Sequence, residues 1–263
     1  MHQTLEKIIA AKKKSNALKK KSVPQEALVK NYPANRRRFA LHQAITRDPS
    51  VSIIAEYKRA SPSAGKISDA DPVAMVRAYT EGGAHAVSVL TEEDYFNGSL
   101  DDLRLVRQHT ELPVLRKDFI IDPYQIHESV AAGADAVLLI ARICDQALLA
   151  AMLKTADQAG IDALVEVHDE DDMRMIQELP VRLIGINNRD LNDFTVDPHC
   201  VERLVHLSPH QAAVVAESGI ETPDDIAALK KYAVSAVLVG ASLMRSEDPA
   251  AMVRALREAG NRS

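Results

Sequence analysis

The chain has 263 residues and a formal net charge of −5, with 46% hydrophobic and 26% charged residues. That composition supports a packed core and excludes a disordered chain, and the acidic balance gives no general attraction to nucleic acid. With no Trp, 6 Tyr and 4 Phe, there is also little from which to build a base-stacking surface.

Residues 1–48 read as a helical extension. Leu5, Ile8 and Ile9 fall on one helical face, and Lys12, Lys13, Lys14, Lys19, Lys20 and Lys21 follow as a solvated basic face. Pro24 before Glu26, Ala27 and Leu28 marks a second helix start, since proline is favoured in a first turn. Arg36, Arg37 and Arg38 precede a third helical stretch, Phe39 to Ile45.

Over residues 49–263 short apolar runs alternate with helical patterns. The runs predict strands at Ile53–Tyr57, Ala86–Leu90, Val114–Arg116, Ala136–Ile140, Ala163–Val167, Leu183–Ile186, Ala213–Ala216 and Ala236–Val239. Continuous apolar character without alternation is what a parallel sheet covered on both faces requires. Asp71-Pro72, Asp122-Pro123, Asp145, Thr222-Pro223 and Asp248-Pro249 open helices, and Gly83, Gly133 and Gly160 close them. The helix-to-strand joints resemble one another, as in Ala132-Gly-Ala-Asp-Ala-Val and Tyr232-Ala-Val-Ser-Ala-Val. Eight such units predict a (β/α)₈ barrel, one domain overall with the extension. A doubly wound sheet would want fewer strands and a Gly-rich first turn.

In a barrel of this kind chemistry gathers at the C-terminal strand ends. Those ends carry Glu56 and Lys58, then Lys117 and Asp118, then Glu166, then Asn187 and Arg189, then Glu217 and Ser218. Any one of them could be an ion pair that holds a loop. Together, two lysines and three glutamates at one mouth point to acid–base work, because apolar residues there would cost less. Gly219 and Gly240 follow the last two strands, where a backbone can approach a phosphate closely. Phe96, Phe119 and Leu191 lie just past strand ends, and Leu138 is placed with them as an apolar contact to substrate. His85, His127 and His168 lack metal-ligand spacing and read as non-ligands. Cys144 and Cys200 suit a reducing compartment and form neither a disulfide framework nor a zinc site. No apolar run is long enough to span a membrane and the N-terminus has no signal-peptide core, so a cytoplasmic protein is expected.

The chain resembles the indole-3-glycerol-phosphate synthase family of tryptophan biosynthesis over nearly its whole length. The resemblance rests on Glu56-Tyr-Lys-Arg-Ala-Ser-Pro-Ser63, Leu115-Arg-Lys-Asp-Phe-Ile120, Leu164-Val-Glu-Val-His168, Ile184-Gly-Ile-Asn-Asn-Arg-Asp-Leu191, Ala216-Glu-Ser-Gly219 and Val239-Gly-Ala-Ser242. It departs from the family at Ala64, where a lysine is common, and in having no Trp in the extension. The resemblance implies a TIM barrel with a helical extension and a small-molecule anilino-sugar phosphate as substrate. It also implies ring closure, decarboxylation and dehydration to indole-3-glycerol phosphate, with neither metal nor organic cofactor.

By the same resemblance Lys117 is the general acid for ring closure and Glu166 the acid/base of dehydration. Lys58 holds a substrate anion or delivers a proton to the leaving hydroxyl, and the sequence leaves open which lysine serves which step. Glu56 and Glu217 orient the lysines, while Asn187 and Arg189 position the substrate. Ser61, Ser218, Gly219, Gly240 and Ala241 surround the phosphate. No nucleic-acid or membrane partner is implied, and a monomer or weak homo-oligomer is expected. The competing readings are a Schiff-base aldolase using Lys117 or Lys58, a phosphometabolite-binding subunit, and a nucleic-acid binder using the basic extension.

Overall fold

The computed structural model describes residues 3–191 and 193–261. The eight apolar runs form eight parallel strands: β1 (Ser52–Tyr57), β2 (Ala86–Leu90), β3 (Val114–Lys117), β4 (Ala136–Ile140), β5 (Asp162–Val167), β6 (Leu183–Asn187), β7 (Ala213–Glu217) and β8 (Ala236–Val239). Each pairs with its sequence neighbours, and β1 pairs with both β2 and β8, which closes the barrel. The closed ladder leaves no strand edge unpaired. Three strands run one residue past the apolar run that marks them. Lys117 pairs in register with Leu90, and Asn187 with Glu217. Lys117, Asn187 and Glu217 therefore stand on the ladder itself and inherit its rigidity.

The buried apolar residues form two layers. Ile54, Leu115, Leu164, Leu183 and Leu238 belong to the cluster that fills the barrel. Ile53, Val87, Val137, Val165 and Val237 belong to a second cluster, shared with the surrounding helices. A strand buried on both faces needs apolar side chains at successive positions, which is why the sequence shows runs and not alternation.

Three helices precede the barrel: α1 (Gln3–Ser22), α2 (Gln25–Lys30) and α3 (Ala40–Thr46). Leu41 and Ile45 of α3 are fully buried and join the barrel-filling cluster, each burial contributing roughly 1.5–3 kcal/mol. Helix α3 packs on β2, β5 and β7, and the His42 amide donates to Asp162 at the start of β5, so α3 closes the N-terminal floor.

Helix α1 lies toward the other end, and there the expectation of a solvated basic face holds for Lys13, Lys14 and Lys21, which are exposed, but not for the other three lysines. Lys12 pairs with Asp118 (2.7 Å), Lys19 with Glu128 (3.0 Å) and Lys20 with Asp122 (2.6 Å). Asp118 also meets Arg116 at 3.0 Å, and its side chain is wholly buried. Burial alone would raise the Asp118 carboxyl, but Arg116 and Lys12 hold it well below the usual carboxylate range. The extension thus grips the residue next to Lys117.

The remaining helices are α4 (Pro72–Gly82), α5 (Leu100–Gln108), α6 (Pro123–Ala132), α7 (Gln146–Ala159), α8 (Glu170–Ile176), α9 (Cys200–Leu204), α10 (Pro223–Leu229), α11 (Ala241–Arg245) and α12 (Pro249–Gly260). Asp71, Asp122, Asp145, Thr222 and Asp248 cap their helices through side-chain acceptors, as the sequence predicts. Gly83, Gly133 and Gly160 end theirs at positive φ. The Ser- and Pro-rich stretch after β1 contains a small antiparallel pair, Ala60–Ser61 with Gly65–Lys66. Among the described residues no helix is long and apolar enough to cross a membrane.

Candidate active site

Every site residue singled out in the sequence lines one cavity of about 220 Å³ at the C-terminal end of the barrel. At its base Lys117 Nζ donates to Glu166 Oε2 at 3.0 Å and stands 3.1 Å from Glu217 Oε2. The Lys117 side chain is 14% exposed and both carboxylates 2%. β3, β5 and β7 supply these three groups, so residues a hundred positions apart meet because the barrel closes.

One ammonium between two buried carboxylates cannot satisfy both equally. Burial by itself would lower the lysine, but Glu166, Glu217 and Glu56 outweigh it and hold Lys117 charged far above the usual range. Burial would raise Glu166, yet Lys117 and His168 pull it well below the usual range. Among the described residues Glu217 pairs with no second cation. Burial raises it, Lys117 only partly opposes, and the Glu166 charge adds to the rise, so it is pushed up to about 8. Neither Glu217 oxygen has a well-directed hydrogen bond among the described residues. The cluster therefore favours a charged Lys117 and an ionised Glu166, and Glu217 is the carboxyl that keeps its proton more readily.

Gly185 on β6 makes room for this acid. A Cβ there would meet Glu217 Oε1 at 2.1 Å. Gly185→Ala should displace Glu217 and lower kcat by about a hundredfold while the far-ultraviolet circular dichroism stays that of the parent. Steady-state turnover beside the dichroism spectrum checks this.

On the neighbouring wall Lys58 Nζ pairs with Glu56 Oε1 at 2.7 Å, and Ser88 Oγ donates to Glu56 Oε2 at 3.5 Å. Gly240 keeps this pair in place, since a Cβ there would meet Glu56 Oε1 at 2.5 Å and Lys58 Nζ at 3.2 Å. Beyond β7 the chain turns through two successive left-handed residues, Ser218 (φ 63°) and Gly219 (φ 72°). A left-handed serine is strained, and Asn188 Nδ2 holds it by donating to the Ser218 carbonyl at 2.9 Å. Gly240 caps α11, and Ala241 and Ser61 border the same part of the cavity. Arg189 donates to the Phe194 carbonyl, and Asn187 Oδ1 accepts from the Arg189 amide, so the two brace one rim. Phe96 and Phe119, tilted with ring centroids 6.3 Å apart, face the cavity with Leu138 and Leu191 and give it an apolar side.

Three site residues, and the Lys12 contact of a fourth, escape the sequence reading. His168 was set aside for lack of metal spacing, but its Nε2 lies 3.3 Å from Glu166 Oε1. Glu92 is buried at the cavity wall and accepts from the Tyr95 and Phe96 amides, which fixes the loop that carries Phe96. Arg245 at the end of α11 adds a fourth cation to the lining besides Lys58, Lys117 and Arg189. Asp118 also lines the cavity while bound to Lys12 of the extension. A Glu two residues beyond a strand and a His directly after another were visible signals; the Lys12 contact had none. No group of three or more potential metal ligands occurs among the described residues.

Comparison with known proteins gives a consistent result. The barrel is similar to 3-hexulose-6-phosphate synthase from Salmonella typhimurium, with a TM-score of 0.66, 14% identity, and coverage of 80% of this chain and 98% of that one. It is also similar to thiamine phosphate pyrophosphorylase from Pyrococcus furiosus, with a TM-score of 0.59, 18% identity, and coverage of 81% and 96%. At those identities the likeness speaks for the fold alone. Sequence relatives are much nearer. The indole-3-glycerol phosphate synthase of Mycobacterium avium (strain 104) is 46% identical over 218 residues, which is 82% of this chain and 80% of the relative. That of Rhodopirellula baltica is 46% identical over 240 residues, 89% of this chain and 91% of the relative. The family model described as Indole-3-glycerol phosphate synthase matches residues 5–256. With that match along almost the full chain, and relatives this similar, the chain belongs to the indole-3-glycerol phosphate synthase family.

Proposed function

We propose that the chain converts 1-(2-carboxyphenylamino)-1-deoxyribulose 5-phosphate to indole-3-glycerol phosphate, with Lys117 and Glu166 as its central proton donors and acceptors. The observation that carries this reading is the Lys117 ammonium held between Glu166 and Glu217 at the base of one half-apolar cavity. The ring carbon bearing the carboxylate attacks the ketone, a carbon–carbon bond forms, and the carbonyl oxygen takes a proton from Lys117. Carbon dioxide then leaves and its bonding pair restores the aromatic ring. Glu166, ionised, removes the proton whose loss drives dehydration, and the hydroxyl departs as water after protonation by Lys58 or Lys117. A developing alkoxide is more basic than an ammonium, so a lysine held charged is a suitable donor to it.

Phe96, Phe119, Leu138 and Leu191 take the aromatic ring, while Ser61, Ser218, Gly219, Gly240 and Ala241 surround the phosphate. Glu56 orients Lys58, and Asn187 with Arg189 places the substrate between the lysines. The extension and barrel, 1–48 and 49–263, work as one domain, since Lys12 reaches Asp118 beside the catalytic lysine. A cytoplasmic setting and a monomeric or weakly associated state complete the reading.

The aldolase alternative needs a lysine with a depressed pKa, free to act as a nucleophile. Lys117 is shifted the other way. Borohydride added during turnover should therefore leave the protein mass unchanged. A reduced substrate adduct on Lys117 or Lys58 would replace proton transfer with Schiff-base chemistry.

A further inference from the structure

We propose that His168 is a positioning residue for Glu166, its ring clamped between that carboxylate and Asp172 so that Glu166 presents one oxygen to the ring and the other to Lys117 and the substrate. The two oxygens of Glu166 face two different cations. Oε2 accepts from Lys117 at 3.0 Å, and Oε1 stands 3.3 Å from His168 Nε2. That oxygen lies beside the ring N–H and not along it, so the contact acts through charge more than as a directed hydrogen bond. Behind the ring, Asp172 Oδ2 is 3.4 Å from Nδ1 and accepts the His168 backbone amide at 2.9 Å. The same oxygen accepts from Arg142 Nε at 3.0 Å, on the turn that follows β4. Arg142 is in turn held by Asp169 at 2.6 Å and faces Asp190 at 3.9 Å. On the last side Cys200 Sγ, from α9, donates to the His168 carbonyl at 3.4 Å.

The ring therefore stands just past the end of β5, pinned from α8 and α9, and its side chain is 2% exposed. Burial alone would lower this imidazole, but Asp172 and Glu166 outweigh burial, with Arg142 opposing them, and push it up to about 9. Below that pH the ring is a cation, and it is what distinguishes Glu166 from Glu217, which shares Lys117 but has no such second partner among the described residues. Removing the ring charge would let the proton on Glu217 be shared with Glu166 and leave its carboxylate free to rotate.

This inference rests on Glu166 acting as the proton acceptor of the reaction. His168→Gln removes the charge and keeps a hydrogen-bonding side chain. It should lower kcat for the anilino-ribulose phosphate by about tenfold to a hundredfold with KM within about threefold of the parent. The parent should lose activity as pH rises through about 9, where the ring deprotonates, and His168→Gln should lack that step. Asp172→Asn keeps the acceptor to the backbone and to Arg142, and should move the step to lower pH. If His168→Gln fails to fold, judged by thermal melting, the Asp172→Asn shift decides the matter alone. Unchanged kcat and pH profile in His168→Gln, or an unmoved step in Asp172→Asn, overturn the inference. Glu166→Gln run alongside separates the two levels: if it too is fully active, the role of Glu166 has failed first; if it is impaired while His168→Gln is not, only the His168 inference falls.

Discussion

Lys117→Ala should lower kcat by about a thousandfold. A positioned acid contributes about 10²–10⁴ in rate, and each tenfold corresponds to about 1.4 kcal/mol of barrier. Here the loss should fall toward the larger end, because Lys117 does two things. It donates to the carbonyl oxygen, and it holds Glu166 ionised. Without the ammonium, Glu166 and Glu217 face one another across a buried gap with no shared cation, and Glu166 gains affinity for a proton. The acid and the base are lost together. Lys117→Met, which keeps the volume of the chain, should fail to the same extent, so that a cavity is not the cause. Steady-state ultraviolet assay of both variants at pH 7 checks this, and a kcat within about threefold of the parent for either one would remove Lys117 from the chemistry.

Two carboxylates that touch the same lysine should respond unequally to the same substitution. Glu166→Gln should cost about 10²–10³ in kcat at pH 7, since it deletes a base that is ionised throughout the neutral range. Glu217→Gln should cost less than about tenfold at that pH. Glu217 is pushed up to about 8, so below that value it is already a neutral acid, which glutamine imitates. The sign then reverses with pH. As pH rises through about 8 the parent gains a second buried negative charge and slows, whereas Glu217→Gln cannot. The alkaline profile of Glu217→Gln should be flatter than the parent's through that range, leaving the later step near 9 that belongs to His168. Because these groups are coupled, the steps belong to the cluster as a whole. Equal losses in the two glutamine variants at pH 7 would mean that the proton is not parked on Glu217.

The barrel was legible in the sequence because its requirement is local. A strand buried on both faces must be apolar at successive positions, and helices capped by Asp-Pro and Gly punctuate the runs between. The site was legible for a related reason. A charged or strongly polar side chain at the end of an apolar run is anomalous, and Glu56, Lys117, Glu166, Asn187 and Glu217 all stand there. What could not be seen were pairings set by closure of the chain in space. Lys12, Lys19 and Lys20 look like a solvated face until α1 is laid against Asp118, Glu128 and Asp122, about a hundred residues away. His168 was tested only as a metal ligand, while its partners are the carboxylates at Glu166 and Asp172, two residues before it and four after. The upward shift of Glu217 was beyond reach for the same reason, since it depends on which of two buried acids has a second cation.

The account depends most on Lys117 and Glu166 turning over the anilino-ribulose phosphate at one mouth. The direct measurement is continuous ultraviolet detection of indole formation from that substrate, by the parent and by Lys117→Ala and Glu166→Gln at equal concentration. The parent should form indole-3-glycerol phosphate and each variant should lose at least about a hundredfold in kcat. Indole formation by both variants at the parent's rate, or none by the folded parent, would contradict it.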